Sequence, residues 1–283
     1  MEFGEWPQSE VQDVEENSLE LVDGGRGYFK DNYYTDGQGN YYVKHNDDYY
    51  KVEPIKWRVL TDDYAETGKA LLLAENILIC EIPYYVNTSS RTISGAIVYL
   101  NNYKYSTIRT WLNGGYKSGD TQTKTYEGKG FLQTAFTKEA QDLIAPTYID
   151  NSKESTFDSG ETQEDNPYVC DDTEDKIFLL CKQEFTKEEY GFAAYDEYGK
   201  GNTRIRVITD YAKATGVYQA NAIDYGGWWG LRSSLNNYEY YARIVNFDGD
   251  AINSLMVRNE DGDIVLALSI SLQWNLSMNG NWL

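Results

Sequence analysis

The stretch that decides the fold is Gly226–Leu268, GGWWGLRSSLNNYEYYARIVNFDGDAINSLMVRNEDGDIVLAL. It opens on two adjacent tryptophans and a Leu-Arg-Ser, and closes on an apolar strand, DIVLAL (Asp263–Leu268). Between them lies a run thick in Asn, Tyr, Ser and Asp. Apolar ends can pack into a core, and a polar middle that does not need its own side chains for folding can stay outside. The stretch is therefore read as a displayed surface held between two pieces of scaffold. Tyr gives contact area at low entropic cost, and Asn and Ser give adaptable hydrogen bonds, the mix that binding loops use. Read as structure alone, the same residues are two polar hairpins, with Asp-Gly at 248–249 and 261–262 as the turns. Calcium is a competing reading of Asn246–Asn253 and Arg258–Ile264. Neither segment has the EF-hand spacing of Gly at the sixth and Glu at the twelfth position.

Working outward, the preceding segment Thr209–Thr215 (TDYAKAT) reads as a short helix capped by Thr209 and stopped by Gly216. Lys176–Cys181 (KIFLLC) is a buried strand, and Asp150–Glu174 reads as a solvated polar loop or small flap. Ser106–Asn113 (STIRTWLN) is a helix with Ser106 as N-cap, Gly114 as stop, and Ile108, Trp111 and Leu112 on one face. Thr137–Ile144 is a second, with Pro146 just beyond it, and Phe131, Leu132 and Phe136 lead into it. Lys69–Leu78 (KALLLAENIL) is a continuous apolar run whose periodicity fits a buried strand or a core helix equally. Tyr49–Leu60 reads as a strand with Pro54 at a bend. Two Tyr-rich runs around TDGQGN give a hairpin upstream of it. Pro7 breaks Glu2–Val11, which suits an edge strand or a strand start. With no repeat and no low-complexity linker, residues 1–283 read as one α+β domain.

Composition narrows the function. The 283 residues carry 45 acidic and 25 basic side chains, a net charge of −20, which argues against nucleic acid and anionic membranes as partners. No apolar run reaches the ~18 residues of a transmembrane helix, and no secretion signal is read at MEFGEWPQ. Tyrosine outnumbers phenylalanine 26 to 9. That suits half-wet binding surfaces and cross-strand pairs alike. The single histidine, His45, sits in a polar hairpin and reads as a solvated surface residue, which leaves no Ser-His-Asp or Cys-His mechanism. Cys80, Cys170 and Cys181 form neither a disulfide framework nor a zinc site; Cys170 and Cys181 could pair, but Cys181 ends an apolar run and suits a buried thiol. No phosphate loop is present, and among 45 acidic residues carboxylate pairs arise by chance. No catalytic residue, metal or other cofactor is expected.

FGEWPQS, YYKVEPIKWRVL, STIRTWLN, FLQTAF, DKIFLLC, TDYAKATG and WWGLRSS occur in the order seen in bacterial proteins of the C-type lectin fold, near the formylglycine-generating-enzyme branch. The chain resembles, within that group, variable proteins of diversity-generating retroelements of the Treponema variable protein type. It departs from the group's pattern by Gly230 within WWLRS and by DIVLAL in place of GVRPAL. No Cys follows Cys181, where the enzymatic branch carries its catalytic pair. The resemblance implies a mainly antiparallel sheet with two main helices, the first and last strands close together. It also implies an extracellular or cell-surface receptor or adhesin for a protein or glycan ligand, with its variable region at 226–268. Asn236, Asn237, Tyr238, Glu239, Tyr240, Phe247, Asp250, Asn253, Ser254, Met256 and Arg258 would be the variable, ligand-contacting positions. Trp228, Trp229, Leu231 and Arg232 would be fixed scaffold. A lectin of fixed specificity and a formylglycine-generating-enzyme-like enzyme are the alternatives.

Overall fold

A computed structural model describes residues 1–12, 18–86, 89–114, 126–156, 166–193, 203–217, 226–236, 238–249 and 270–274, and the backbone at 251–252, 257–258 and 264–265. In chain order the strands are β1 (Glu2–Val11), β2 (Glu20–Leu21), β3 (Tyr33–Thr35), β4 (Tyr41–His45), β5 (Asp48–Thr61), β6 (Ala70–Ala74), β7 (Asn76–Ile77), β8 (Pro83–Tyr85), β9 (Arg91–Ile93) and β10 (Ala96–Val98). There follow β11 (Thr147–Ile149), β12 (Thr173–Asp175), β13 (Ile177–Phe178), β14 (Val207–Ile208), β15 (Trp229–Ser234), β16 (Ala242–Val245), β17 (Ala251–Ile252), β18 (Val257–Arg258), β19 (Ile264–Val265) and β20 (Ser271–Trp274). The helices are α1 (Thr107–Asn113), α2 (Phe131–Ala135), α3 (Lys138–Leu143), α4 (Lys153–Thr156), α5 (Lys182–Phe185) and α6 (Asp210–Ala214). In place of two main helices, the described residues form six short ones, α1 the longest at seven residues. The fold is mixed, with few helices around mainly antiparallel sheet.

The main sheet runs β13-β20-β6-β5-β4-β3-β2, with β1 added along β5. It draws strands from both ends of the described chain, and the Phe3 and Trp274 rings meet edge-on at 4.2 Å. Its pairings are antiparallel. The ambiguous run KALLLAENIL is strand: β6 is buried along its whole length. Its side chains alternate between two hydrophobic clusters, Leu71 and Leu73 into one, Ala70, Leu72 and Ala74 into the other. Residues 177–180 do the same, with Ile177 and Leu179 on one side and Phe178 and Leu180 on the other. A strand sandwiched between two cores has no polar face, which is why neither run alternates in sequence.

Pro54 does not interrupt β5. It pairs opposite Glu5, beside a register shift in β1, and Pro7 borders the second shift. The proline positions thus coincide with places where the ladder is already irregular. Gly4, at φ +70°, makes the first of these bends, and a Cβ there would lie 2.4 Å from the Phe136 ring.

The helix caps match the sequence. Ser106 Oγ accepts from Arg109 N at 3.2 Å, and Gly114 closes α1 at φ +60°. Thr137 and Thr209 cap α3 and α6 in the same way. Ile108, Trp111 and Leu112 are fully buried, and α1 is buried on its other faces too. Arg109 is fixed by a buried ion pair, Nε to Asp175 Oδ1 at 2.8 Å, which joins α1 to β12.

The described residues of Asp150–Glu174 are not simply a solvated loop. β11 pairs with β12, α4 lies between them, and Asn151, Ser155, Thr156 and Thr173 are buried. Polar groups of the segment pair inside the protein: Asn151 Nδ2 donates to Asp171 O and Thr173 Oγ1.

The close approach of α1 and α2 rests on Gly130. A Cβ there would stand 2.2 Å from Trp111 O and 2.5 Å from Gly114 Cα, both backbone atoms that cannot swing aside. Gly130→Ala is expected to cost about 1–3 kcal/mol. Urea denaturation should show a lower midpoint at unchanged slope; an unaltered midpoint would refute the packing argument.

Candidate functional site

The site begins with the scaffold under it. Every residue of β15 is buried. Trp229 is inaccessible, and its indole N–H donates to Arg204 O at 3.1 Å. Arg232 is buried beside Glu184, with Nη1 to Oε2 at 2.6 Å and Nη2 to Oε1 at 3.1 Å. It also donates to Leu179 O and Asp150 O. Glu184 closes the network by accepting from the Tyr64 hydroxyl and from Cys181 N. Burial alone pushes the Glu184 carboxyl up, but the Arg232 charge and these hydrogen bonds reverse that and hold it below its ordinary value. Trp228, expected as fixed scaffold with Trp229, is only half-buried, and its ring stacks on Phe247 at 6.4 Å.

β15 and β16 form an antiparallel pair, closed by a turn at 235–241. The turn is held by its backbone. Asn101, almost fully buried, donates from Nδ2 to Tyr238 O and Tyr241 O, both at 3.0 Å, and its own N–H reaches Glu239 O at 3.2 Å. Leu235 N adds a bond to Tyr241 O at 3.0 Å. None of these bonds uses a side chain of residues 236–241. Tyr238 is 48% exposed, while Asn236, Glu239 and Tyr240 are half-buried. The rings of Tyr238, Tyr240 and Tyr241 form a cluster with centroids 4.5–6.0 Å apart.

Of the predicted contact residues, the structure brings Tyr238 and Tyr240 together, with Asn236 and Glu239 on the same turn. Phe247 stands at the far end of β16, whose side chains are all buried. The four residues of β16 put it more than about 13 Å from the tyrosine turn. Arg258 lies in β18 opposite Ile264, as backbone. Asn237, Asp250, Asn253, Ser254 and Met256 lie outside the described residues. The Asp-Gly at 248–249 is a hairpin turn between β16 and β17, with Asp248 N on Asn246 Oδ1 at 2.8 Å, Gly249 N on Asn246 O at 3.1 Å, and Gly249 at φ +88°. The turn at 261–262 is itself outside the described residues, but β18 and β19 pair across it.

Sequence reasoning missed Asn101, Tyr241 and Glu184. Glu184 carried a local signal, since Cys181 and Glu184 form a capping box at the start of α5 with Cys in the Ser/Thr position. Asn101 carried none, because the carbonyls it holds are 137 and 140 residues away.

Other chemistry is quiet. Burial pushes the Cys80 and Cys181 thiols up to about 12 and Cys170 to about 11, so none is a thiolate at neutral pH. All three are free. His45 is half-buried rather than solvated, edge-on to the Tyr211 ring at 5.7 Å. Among the described residues no three His, Cys, Asp or Glu side chains gather as a metal-holding group, and no helix is long and apolar enough to cross a membrane.

Fold and site together define a mixed, mainly antiparallel protein that presents a tyrosine-bearing turn on a buried hairpin. Residues 67–272 match the family described as a domain of unknown function (DUF6273), and the chain belongs to that family. The matched segment runs from just before β6 into β20, so β1–β5 precede it while sharing its sheet. No curated protein and no solved structure matches the chain.

Proposed function

We propose that this chain is a ligand-binding protein of receptor or adhesin type, a single domain of C-type lectin fold that acts at the cell surface or outside the cell. It binds a protein or glycan through the turn Asn236–Tyr241 and, further along the hairpin, Phe247. It does so without catalysis, and nucleic acid is not its partner. Retroelement-type diversification of 226–268 is part of this reading.

One observation supports it above the others: the turn's backbone is fastened by Asn101 and Leu235, so the exposed Tyr238 side chain is not needed to hold its shape, while Tyr240 packs partly on the core. A surface built this way can change residues at little cost to the fold. Two half-exposed tyrosines and a third ring beside them are the side chains that such surfaces use.

Screening the protein against arrayed glycans and surface-protein fragments supplies the ligand. Tyr238→Ala should then weaken binding at least tenfold while shifting stability by no more than about 0.5 kcal/mol. A ligand whose affinity is untouched by both Tyr238→Ala and Phe247→Ala would sink the assignment of this surface. Diversification has its own test. It requires AAY-type codons in the gene segment and a near-identical template repeat close by, and their absence removes that part of the proposal.

A further inference from the structure

Next to Asn101, which holds the tyrosine turn, lies a small cavity of about 10 Å³, bordered by Asn101, Tyr103, Asn151, Cys170, Arg232 and Ser233. Four buried polar atoms of the residues around it have no hydrogen-bond partner: Asn101 Oδ1, Asn151 Oδ1, Arg232 Nε and the Tyr103 hydroxyl. These residues are 2%, 5%, 4% and 1% exposed. The Tyr103 hydroxyl, beside the Leu179 backbone, borders the same space.

The two amides cannot be turned over to remove the problem. Asn101 Nδ2 is committed to Tyr238 O and Tyr241 O, and Asn151 Nδ2 to Asp171 O and Thr173 Oγ1. Flipping either would set an oxygen against a carbonyl. The oxygens are therefore left as acceptors without a donor, on residues that border the cavity. Arg232 Nε is a donor by its chemistry, with both terminal nitrogens already used on Glu184, Leu179 O and Asp150 O. Nearby hydroxyls have their own partners: Ser155 donates to Ser152 O, and Ser233 Oγ accepts from Lys182 N.

We infer that this cavity is the binding site of one structural water molecule, which joins Asn101, Asn151 and Arg232. Its size is that of a single water, for which about 10–15 Å³ suffices. The demand is two acceptors and a donor, which a water meets by giving its hydrogens to the two amide oxygens and a lone pair to Nε. The Tyr103 hydroxyl is placed to supply the remaining donor. A cation would meet the Arg232 charge, and an anion would meet two amide oxygens, so a neutral molecule with two donors and two acceptors fits best. The water would fix the Asn101 amide in the orientation that holds the turn, and would tie β15 to the segments before α1 and after β11. The site is independent of what the turn binds.

A high-resolution crystal structure of the wild-type protein is the test, paired with counting of long-lived internal waters by magnetic relaxation dispersion in solution. An ordered water within hydrogen-bond distance of Asn101 Oδ1, Asn151 Oδ1 and Arg232 Nε is expected. Asn151→Leu, which removes one acceptor and fills the space, should lose one long-lived water if it folds. Clear density with the cavity dry, or collapsed so that the three groups pair directly, would overturn the inference. So would an unchanged count of long-lived waters in a folded Asn151→Leu. If that variant does not fold, the wild-type density alone decides.

Discussion

Exchanging Arg232 for methionine will destabilise the protein by about 3–5 kcal/mol, because it strands a buried carboxylate. Glu184 is nearly inaccessible and points two oxygens at the guanidinium. Remove the arginine, and the Tyr64 hydroxyl and Cys181 N–H remain as donors to a charge that burial opposes. Exposed pairs such as Lys138–Asp142 keep their hydration and are worth ~0–1 kcal/mol. Urea unfolding at neutral pH measures the loss. The double variant Arg232→Met with Glu184→Gln should recover much of it, since no charge is then left behind. The pH dependence should change sign as well. In the wild type the Glu184 carboxyl lies below its ordinary value of 4.5, so its contribution is present above that pH and is lost as pH falls. In Arg232→Met only the Tyr64 hydroxyl and Cys181 N–H still oppose burial, the folded value rises, and acid should stabilise the variant relative to pH 7. A single-variant cost as small as that of a surface pair would refute this account.

What the sequence made legible follows the range of the forces involved. Ser106 and Gly114 fix the ends of α1 through bonds within four residues, and they could be read directly. Trp229, Leu231 and Arg232 were expected as buried scaffold by resemblance, and they are buried. KALLLAENIL could not be settled, because a strand between two cores shows no period. The described residues of Asp150–Glu174 depart from a solvated loop for a related reason. The segment's composition is that of a wet loop, yet Asp172 and Thr173 pair with Asn151 from about twenty residues away and Asp175 pairs with Arg109. Polar residues are expected outside until a distant partner satisfies them, and no local pattern announces the partner. The tyrosine turn shows both cases. Its outward rings stand out in NNYEYY, while Asn101, which holds it, is one asparagine among many.

Above pH 10 the protein will lose stability steeply and unfold in one step. Tyr64, Tyr84, Tyr103 and Tyr211 are buried, and burial is the chief cause that lifts each phenol above its ordinary 10.0. Nearby acids add to this, Glu184 for Tyr64, Asp175 for Tyr103 and Glu81 for Tyr211. A folded value above the unfolded one means that the native state holds protons the unfolded chain has released. Such stability is complete below the unfolded pKa and is lost as pH rises. The Cys80 and Cys181 thiols have the same sign, from 9.0 up to about 12. Arg206 opposes them: burial and then Arg58 lower it to about 10, so discharging it in the folded state recovers stability as pH climbs toward 12.5. Each such group changes stability by about 1.4 kcal/mol per pH unit. Tyr28, Tyr33 and Cys170 are raised as well, so the groups that hold their protons in the fold outnumber Arg206 and the net is a steep loss of stability above the ordinary tyrosine value. A domain stable by about 5–15 kcal/mol has little margin against several such groups. Alkaline titration followed by phenolate absorbance and far-UV circular dichroism checks this. The buried phenols should ionise in the same cooperative step that removes the secondary structure. Phenolate growth that completes while the circular dichroism stays native would show that these rings already meet solvent, and the buried tyrosine core would have to be abandoned.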